Sequence, residues 1–282
     1  MPGVRVVTDS SCDLPNDLAV ELDIDIVPLT IRFGDDEFVD RRDLSPKQFW
    51  ARCGTSPVLP ETAAPSAGAF EEAFRAAKAA GAEGVVCINL SSKLSATYQA
   101  AQMAANTLQG EVPVRVVDSL SVTMGLGNIA IAAARLAAAG KSLDDVAGAA
   151  EDLSRRTRVL GTLDTLENLK KGGRIGGAKA MLGSMLSLKP VIWVVDGLVE
   201  EESKQRTRSR ALRYLVDKVA EQATQGIEDL AVMHGDAPDL DEFLDMLDAH
   251  FPREDIVIGD IGAVIGTHAG PRVMGVAYHT TA

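Results

Sequence analysis

Four side chains could hold or attack a polar group on a ligand: Thr62, Ser92, Ser95 and His268. Hydroxyl groups beside a histidine suit two kinds of chemistry. In one, the histidine activates a serine as a nucleophile. In the other, hydroxyls at helix N-termini and a nearby histidine donate hydrogen bonds to one carboxylate or phosphate group. Each serine could instead cap a helix, since a helix is predicted directly after Ser95.

The nucleophilic alternative is a serine hydrolase or acyl-transfer enzyme that uses Ser92 or Ser95 with His268. The sequence contains no Gly-x-Ser-x-Gly elbow, which argues against an α/β-hydrolase. Such an enzyme would also need an oxyanion hole and a third group that orients the histidine. The sequence identifies neither, so we predict no catalytic residue, and the alternative stays open.

No metal or nucleotide cofactor is predicted. The four histidines show no paired ligand spacing, and the three cysteines form neither a metal pattern nor a disulfide framework. The segment 125–130 matches a dinucleotide glycine pattern, but a helix follows it where a strand with a ribose-binding acid is needed. Gly140-Lys141-Ser142 lacks the first glycine of a phosphate loop and is better interpreted as a helix end followed by a cap.

The elements that must position these side chains alternate between strands and helices, which predicts βαβ units and an α/β fold. Several strands end in small hydroxyl or acidic residues, so those ends could meet at one site. The composition turns basic after residues 151–158. We therefore predict two α/β domains: residues 1–157 with a mostly parallel Rossmann-like sheet, and residues 158–282 as a smaller domain with a mixed sheet. His268 is predicted in a loop after an apolar strand.

The charge distribution bears on partners. The net charge of −12 argues against general binding of nucleic acid or an anionic membrane. Residues 155–213 nevertheless carry 13 Lys and Arg against 6 Asp and Glu. This segment is either a solvated face or a basic patch for an acidic partner or anionic ligand. No signal peptide or membrane-length apolar run is found, so a cytoplasmic location is expected.

Residues 172–177 crowd four glycines around Arg174, which indicates unusual backbone or a close contact. An apolar stretch follows at helical spacing, with Met181, Met185 and Leu186 among its members. Ordinary core packing explains such a stretch. Methionines also adapt to irregular ligands, so the stretch would suit a long flexible chain.

Taken together, these motifs resemble the DegV family of bacterial fatty-acid-binding proteins over nearly the whole chain. The resemblance starts at Val-Val-Thr-Asp-Ser-Ser-Cys-Asp-Leu-Pro, residues 6–15, and includes the loop 62–70 and the segment 91–99. It continues through Asp118-Ser119, the glycine segment 125–127 and Gly-Gly-Arg-Ile-Gly-Gly at 172–177 into Lys189-Pro190. Asp196-Gly197, Arg206-Thr207-Arg208 and Ile-Gly-Thr-His at 265–268 complete it.

The resemblance implies a long-chain fatty acid in a tunnel between the two domains. Its carboxylate would be held by Thr62 and Ser95, with Ser92 close by and His268 in the hydrogen-bond network. Met181, Met185 and Leu186 would line the acyl chain. The protein would be a carrier that presents the carboxylate to a separate fatty acid kinase, which forms an acyl-phosphate for phospholipid metabolism. Arg174 and Arg206 would contact the head group or the kinase.

One loop departs from the family pattern. Family members commonly have Thr-Ser-Gln-Pro-Ser, whereas this chain has Thr62-Ala63-Ala64-Pro65-Ser66. Two polar side chains beside the expected head group are therefore missing. Thr62 is kept, so carboxylate binding is still expected.

Overall fold

The computed structural model describes residues 3–184 and 188–281. The helices in these residues are α1 (Asn16–Glu21), α2 (Pro46–Thr55), α3 (Ala67–Ala79), α4 (Thr97–Thr107), α5 (Thr123–Ala138), α6 (Leu143–Arg156), α7 (Glu167–Lys171), α8 (Arg208–Ala223), α9 (Leu240–Asp248) and α10 (Ala263–Ala269). Short 3₁₀ helices cover Ser10–Cys12, Gly176–Ser184 and Arg253–Asp255.

The strands are β1 (Val4–Asp9), β2 (Ile24–Val27), β3 (Thr30–Phe33), β4 (Asp36–Val39), β5 (Glu61–Ala63), β6 (Gly84–Asn89), β7 (Val114–Asp118), β8 (Thr157–Thr162), β9 (Lys189–Val195), β10 (Leu198–Gln205), β11 (Ile227–His234), β12 (Val257–Asp260) and β13 (Met274–Thr280).

The first sheet is parallel, in the order β2-β1-β6-β7. Its chain order reverses direction between β1 and β6, which is the switch point where doubly wound folds bind ligands. Both strands are apolar along most of their length because helices cover both faces of the sheet. A buried carboxylate joins the two strand ends: Asp9 accepts a hydrogen bond from the backbone nitrogen of Leu90 at 2.9 Å.

The second sheet is mixed, in the order β10-β9-β8-β13-β11-β12. Its β9–β10 hairpin turns at Asp196-Gly197, both with positive φ, as the sequence predicts. Alternate residues of its strands belong to different cores. Val159 and Val194 face the core shared with the first sheet, whereas Leu160 and Val191 face α8 and α9.

A small antiparallel sheet, β4-β3-β5, carries Thr62 in its strand β5. Residues 24–31 form an apolar run typical of a single strand, but the structure divides it into β2 and β3. At the break, Leu29 donates its backbone N–H to the Ser10 hydroxyl at 3.0 Å and accepts from the backbone of Asp40 at 2.9 Å. Because these bonds lie outside the pairing between β1 and β2, the chain leaves the first sheet at Leu29 and continues as β3 in the small sheet.

Helix α5 is buried on nearly every side and packs against strands of both large sheets. Two of its glycines allow this close packing. A Cβ on Gly125 would lie 2.3 Å from a methyl of Val159, and one on Gly127 would lie 2.8 Å from the carbonyl oxygen of Cys12. The glycine pattern that resembles a nucleotide loop thus serves helix packing.

The prediction of a loop at His268 is wrong, because residues 263–269 form α10. The start of the helix is stabilised by Asp13, whose side-chain oxygen accepts from the Gly262 backbone nitrogen at 2.9 Å. Gly266 allows α10 to approach α2, since a Cβ there would lie 2.6 Å from Phe49. His268 therefore projects from the last turn of a packed helix.

The predicted fold class is confirmed: an α/β protein with one parallel and one mixed sheet. In number of strands, however, the mixed sheet is the larger of the two. The division into domains at residue 157 stays a prediction. Over residues 3–184 and 188–281, every helix is too short or too polar to cross a membrane.

Candidate functional site

An apolar cavity lies where the carboxyl ends of the parallel strands meet one face of the mixed sheet. The parallel side contributes Leu29, Leu90, Leu94, Ser95, Val122 and Thr123. The mixed sheet contributes Val159, Gly161, Ile192, Val194, Met233 and Gly275. The atom-free space is about 870 Å³, including the part open to solvent.

The polar side chains of the cavity other than Thr123 and Trp193 gather at one end. Thr62, Ser95, Arg174 and His268 line it there. Thr62, Arg174 and His268 also line an outer depression, together with the charged side chain of Lys171. The cavity is therefore polar where it approaches solvent, whereas its remaining walls are almost entirely aliphatic.

His268 and Thr62 form the centre of this polar end. Their side chains are joined by a hydrogen bond of 3.0 Å between Nε2 and Oγ1. Burial, with a smaller contribution from the positive charge of Arg174, lowers the pKa of His268 to about 4. The imidazole is therefore neutral at neutral pH. Within the described residues, its Nδ1 has no hydrogen-bond partner.

Ser95 is oriented by its neighbour Thr97. The Ser95 hydroxyl accepts from the Thr97 backbone nitrogen at 3.3 Å and lies 2.9 Å from the Thr97 hydroxyl. A serine oxygen has two acceptor positions and one donor hydrogen. When the Thr97 hydroxyl donates, both acceptor positions are filled, and the Ser95 hydrogen is free to point at a ligand.

Arg174 is tied to both sides of the opening. Its Nε donates to the Leu94 carbonyl at 3.1 Å, and its Nη1 donates to the Gly172 carbonyl at 2.6 Å. In the described part of the chain, no carboxylate pairs with this guanidinium. Its charge is therefore available for an anion at the polar end.

Gly172 is a site residue that the sequence did not identify as one. A Cβ on this glycine would lie 2.3 Å from Nδ1 of His268 and 2.9 Å from its Cε1. The backbone of Gly172 thus sets how far the imidazole can move away from Thr62. Only the density of glycines around Arg174 hinted at such a contact, without indicating its partner.

Two predicted residues lie outside the cavity wall. The backbone nitrogen of Ser92 donates to Asp118 at 3.1 Å, and Ser92 is not among the described lining residues. Arg206 is exposed in the segment between β10 and α8, and neither the cavity nor the outer depression includes it. Their roles stay predictions.

The apolar stretch after the glycines is only partly described. Met181 lies fully buried in the 3₁₀ helix Gly176–Ser184, packed in the core rather than among the described lining residues. Met185 and Leu186 lie outside the described residues. The acyl-chain role of these three side chains therefore stays a prediction.

The arrangement suits anion binding better than nucleophilic catalysis. Thr62, rather than Ser92 or Ser95, is bonded to His268. Across residues 3–184 and 188–281, no acid bonds to Nδ1 to orient the ring. A histidine with a pKa of about 4 is also a weak general base at neutral pH. A hydroxyl pair, a neutral histidine and a fixed arginine can instead share one carboxylate.

Two buried carboxylates lie at the other end of α10. Asp13 and Asp40 both flank Gly262. Burial is the main cause that raises the pKa of Asp13 to about 7 and that of Asp40 to about 6. No local pattern in the sequence distinguishes these acids, because an acid at a strand end is usually solvated. Within the described residues, no cluster of three His, Cys, Asp or Glu side chains is placed to hold a metal ion.

Comparison with known sequences gives consistent matches. A family model for the DegV family, described as an uncharacterised protein family, matches residues 3–281. A DegV domain-containing protein of Streptomyces coelicolor is 38% identical over 276 residues, or 97% of each chain. One from Clostridium acetobutylicum is 36% identical over 281 residues, or 98% of each chain.

Solved structures match over the same extent. A DegV family protein from Thermus thermophilus, described for its fatty acid binding, is 32% identical, with a TM-score of 0.89 over 98% of this chain and 99% of that one. DegV of Bacillus subtilis, described as a fatty acid binding protein, is 27% identical, with a TM-score of 0.88 over 99% of each chain.

Proposed function

Because the chain belongs to the DegV family, we propose that it is a carrier that binds a long-chain fatty acid in the cavity. The carboxylate binds at the polar end, where Thr62 and Ser95 donate hydrogen bonds, His268 donates to the Thr62 hydroxyl and Arg174 supplies positive charge. The acyl chain lies against the aliphatic walls. The protein itself performs no chemistry on the acid.

The observation that carries the proposal is the separation of polar and apolar lining. Polar side chains that can hold an anion gather at one end of a cavity whose other walls are mostly aliphatic. That arrangement matches an amphiphile with one anionic group. The two relatives described as fatty acid binding proteins support the same ligand class.

The position of the polar end supports the proposal that the protein is a carrier. Thr62, Arg174 and His268 line the outer depression as well as the cavity. A bound carboxylate there is within reach of a partner, which we take to be a fatty acid kinase that phosphorylates it to an acyl-phosphate. Lys171 and Arg174, with Arg206 farther away, contribute positive charge for docking. Such a carrier works in the cytoplasm, where the kinase finds ATP.

The proposal is tested by the ligand that the protein carries. Wild-type protein from a bacterial host is expected to show a bound long-chain acid by native mass spectrometry. The double variant Thr62→Val with Ser95→Ala should carry less of it and bind added palmitate more weakly. Each hydrogen bond lost to the carboxylate costs about 1.5–3 kcal/mol, or roughly 10- to 100-fold in affinity.

A matched control makes the same two changes elsewhere. Thr107→Val with Ser154→Ala alters hydroxyls that bond only to helix carbonyls, and it should bind palmitate as the wild type does. A folded wild type that carries no lipid and does not bind palmitate would disprove the proposal. Equal affinity in the wild type and the Thr62 and Ser95 double variant would remove these two residues from the site.

A further inference from the structure

Two glycines face each other in the part of the cavity wall that the mixed sheet forms, which we call the floor. Gly161 of β8 and Gly275 of β13 are partners in the ladder between these strands, and both line the cavity. Each strand has neighbours on both sides in the sheet. A glycine inside a strand weakens it and often marks the close approach of a ligand or of another backbone.

The two glycines are needed for different reasons. A Cβ on Gly275 would lie 2.8 Å from the backbone oxygen of Leu160 and 3.3 Å from the sulfur of Met233. Close packing therefore requires glycine at this position. A Cβ on Gly161 would meet only the Met274 oxygen at 3.4 Å and the Gly275 Cα at 3.9 Å, which is ordinary contact. Packing does not require glycine at 161.

The space above Gly161 is the cavity itself. Val159, Gly161 and Leu163 are alternate residues that all line the cavity, as side chains on one face of a strand do. From Leu163 the chain continues through α7 to Gly172, which contacts His268. At the far side, Val159 packs over Gly125 of α5. Gly161 therefore lies under the middle of the cavity, about 6.6 Å along the strand from each neighbour on that face.

We propose that the missing side chain at Gly161 determines the length of the acyl chain that the cavity accepts. The inference rests on the proposed function, fatty acid binding. A side chain at this position would protrude into the space over the floor and leave room for fewer methylene groups. Each methylene group that is no longer buried weakens binding about fourfold, so long acids lose affinity and short ones keep it.

The experiment measures the affinities of decanoic, myristic and stearic acid for four proteins. These are the wild type, Gly161→Ala, Gly161→Val and the control Gly148→Val. Gly148 lies exposed on α6, and a Cβ there meets nothing within 4 Å. For Gly161→Val, stearic acid should bind at least about tenfold more weakly, since several methylene groups are excluded, while decanoic acid keeps its affinity. Gly161→Ala should show the same order with a smaller loss, and the control should match the wild type.

The outcomes separate this inference from the proposed function. If the wild type binds none of the three acids, the proposed function fails and the inference fails with it. Suppose that the wild type binds them and that both Gly161 variants keep the wild-type affinity for all three acids, or lose affinity by the same factor for each. Then only the inference is overturned. If Gly161→Val does not fold, Gly161→Ala decides, because its single Cβ makes ordinary contacts.

Discussion

At the scale of single residues, the polar end of the cavity holds an uncharged imidazole beside a fixed guanidinium. Because the pKa of His268 is lowered to about 4, Arg174 is the positively charged side chain among the described residues that line the cavity at neutral pH. His268 then contributes geometry and a hydrogen bond. The position of its ring depends on Thr62 on one side and on the backbone of Gly172 on the other.

We predict that Gly172→Ala weakens fatty acid binding while the protein stays folded. Gly172 has an ordinary helical φ of −74°, so alanine fits the backbone, but its Cβ would collide with His268. The ring must then shift from the position in which it bonds to Thr62. Losing its hydrogen bond should reduce affinity for palmitate by about tenfold or more, which titration calorimetry can measure.

Gly173→Ala is the matched control for that change. A Cβ at Gly173 meets nothing within 4 Å, but φ is +71°. Alanine in this conformation costs roughly 1–2 kcal/mol of stability, whereas affinity should stay unchanged. If Gly172→Ala binds palmitate as tightly as this control, Gly172 does not position His268.

Residue types at the site could be predicted from the sequence better than residue contacts. Thr62, Ser95, Arg174 and His268 all line the polar end, and these were the side chains selected for their chemistry or for the family resemblance. Gly172 and Gly161 could not be recognised in this way. A glycine has no side chain chemistry to identify it, and what lies against its Cα is set by distant parts of the chain.

At the scale of elements, α10 connects two ionisable regions of the fold. Asp13 and Asp40 lie at its N-terminus, and His268 lies in its last turn. Burial raises the pKa of both acids and lowers that of the histidine. The stability of this helix should therefore depend on pH through groups with opposite effects.

We predict that Asp13→Asn makes the protein relatively more stable as the pH rises from about 4 to about 7. The folded protein holds the Asp13 proton up to a pKa of about 7, whereas the ordinary pKa of an aspartate side chain is 3.8. The stabilisation from this proton is complete below the unfolded pKa and is lost as the pH rises through the folded one. Asparagine is neutral throughout, tolerates the left-handed φ of 51° and can still accept from Gly262.

The measurement is the free energy of unfolding in urea across this pH range. The difference between variant and wild type should change by at most about 1.4 kcal/mol per pH unit. Taking the difference cancels the opposite contribution of His268, which is present in both proteins. Exposed Asp17→Asn controls for the loss of one negative charge. A difference that does not vary with pH would mean that Asp13 is ionised in the folded protein.

Local signals predicted some elements accurately and others poorly. Ser142 caps α6, and Asp196-Gly197 forms the hairpin turn that this residue pair favours, because each depends on residues close in sequence. The loop predicted at His268 is a helix. Its start at Gly262 is stabilised by Asp13, which lies 249 positions earlier in the chain. Long-range stabilisation of this kind leaves no local pattern.

At the scale of the whole molecule, the two large sheets share one helix. Helix α5 packs against β1 and β6 as well as β8, β11 and β13, and its Asn128 side chain donates to the backbone of Asp229. On the other side of the cavity, Trp50 of α2 donates to the Ile261 carbonyl at 3.0 Å. The family resemblance predicted two α/β domains but not the helix that joins the sheets, and the match to the DegV family confirms the resemblance. Composition and periodicity alone do not predict that α5 packs against both sheets.

We predict that Gly125→Ala destabilises the whole molecule. Its Cβ would lie 2.2 Å from the Ser121 hydroxyl and 2.3 Å from Val159, and overpacking of this kind costs about 1–3 kcal/mol. Gly148→Ala on exposed α6 is the matched control and should stabilise by about 0.5–1 kcal/mol, the usual gain when alanine replaces glycine within a helix.

Urea unfolding followed by the two tryptophans checks this prediction. Trp50 reports on α2 and α10, and Trp193 reports on the mixed sheet. In single-tryptophan forms, both signals should show the same midpoint, and Gly125→Ala should lower both together. Separate midpoints would mean that α5 does not couple the two sheets.

The hydrogen bond between Thr62 and His268 spans 206 positions, and β13, which completes the middle of the mixed sheet, lies later still in the chain. During translation, Thr62 and Ser95 therefore emerge from the ribosome long before His268 and β13 do. On the proposed function, a nascent chain cannot hold a fatty acid during translation, so loading follows synthesis. A truncated chain that stops before residue 268 lacks the histidine of the polar end. One that stops before β13 lacks Gly275 and its strand in the cavity wall.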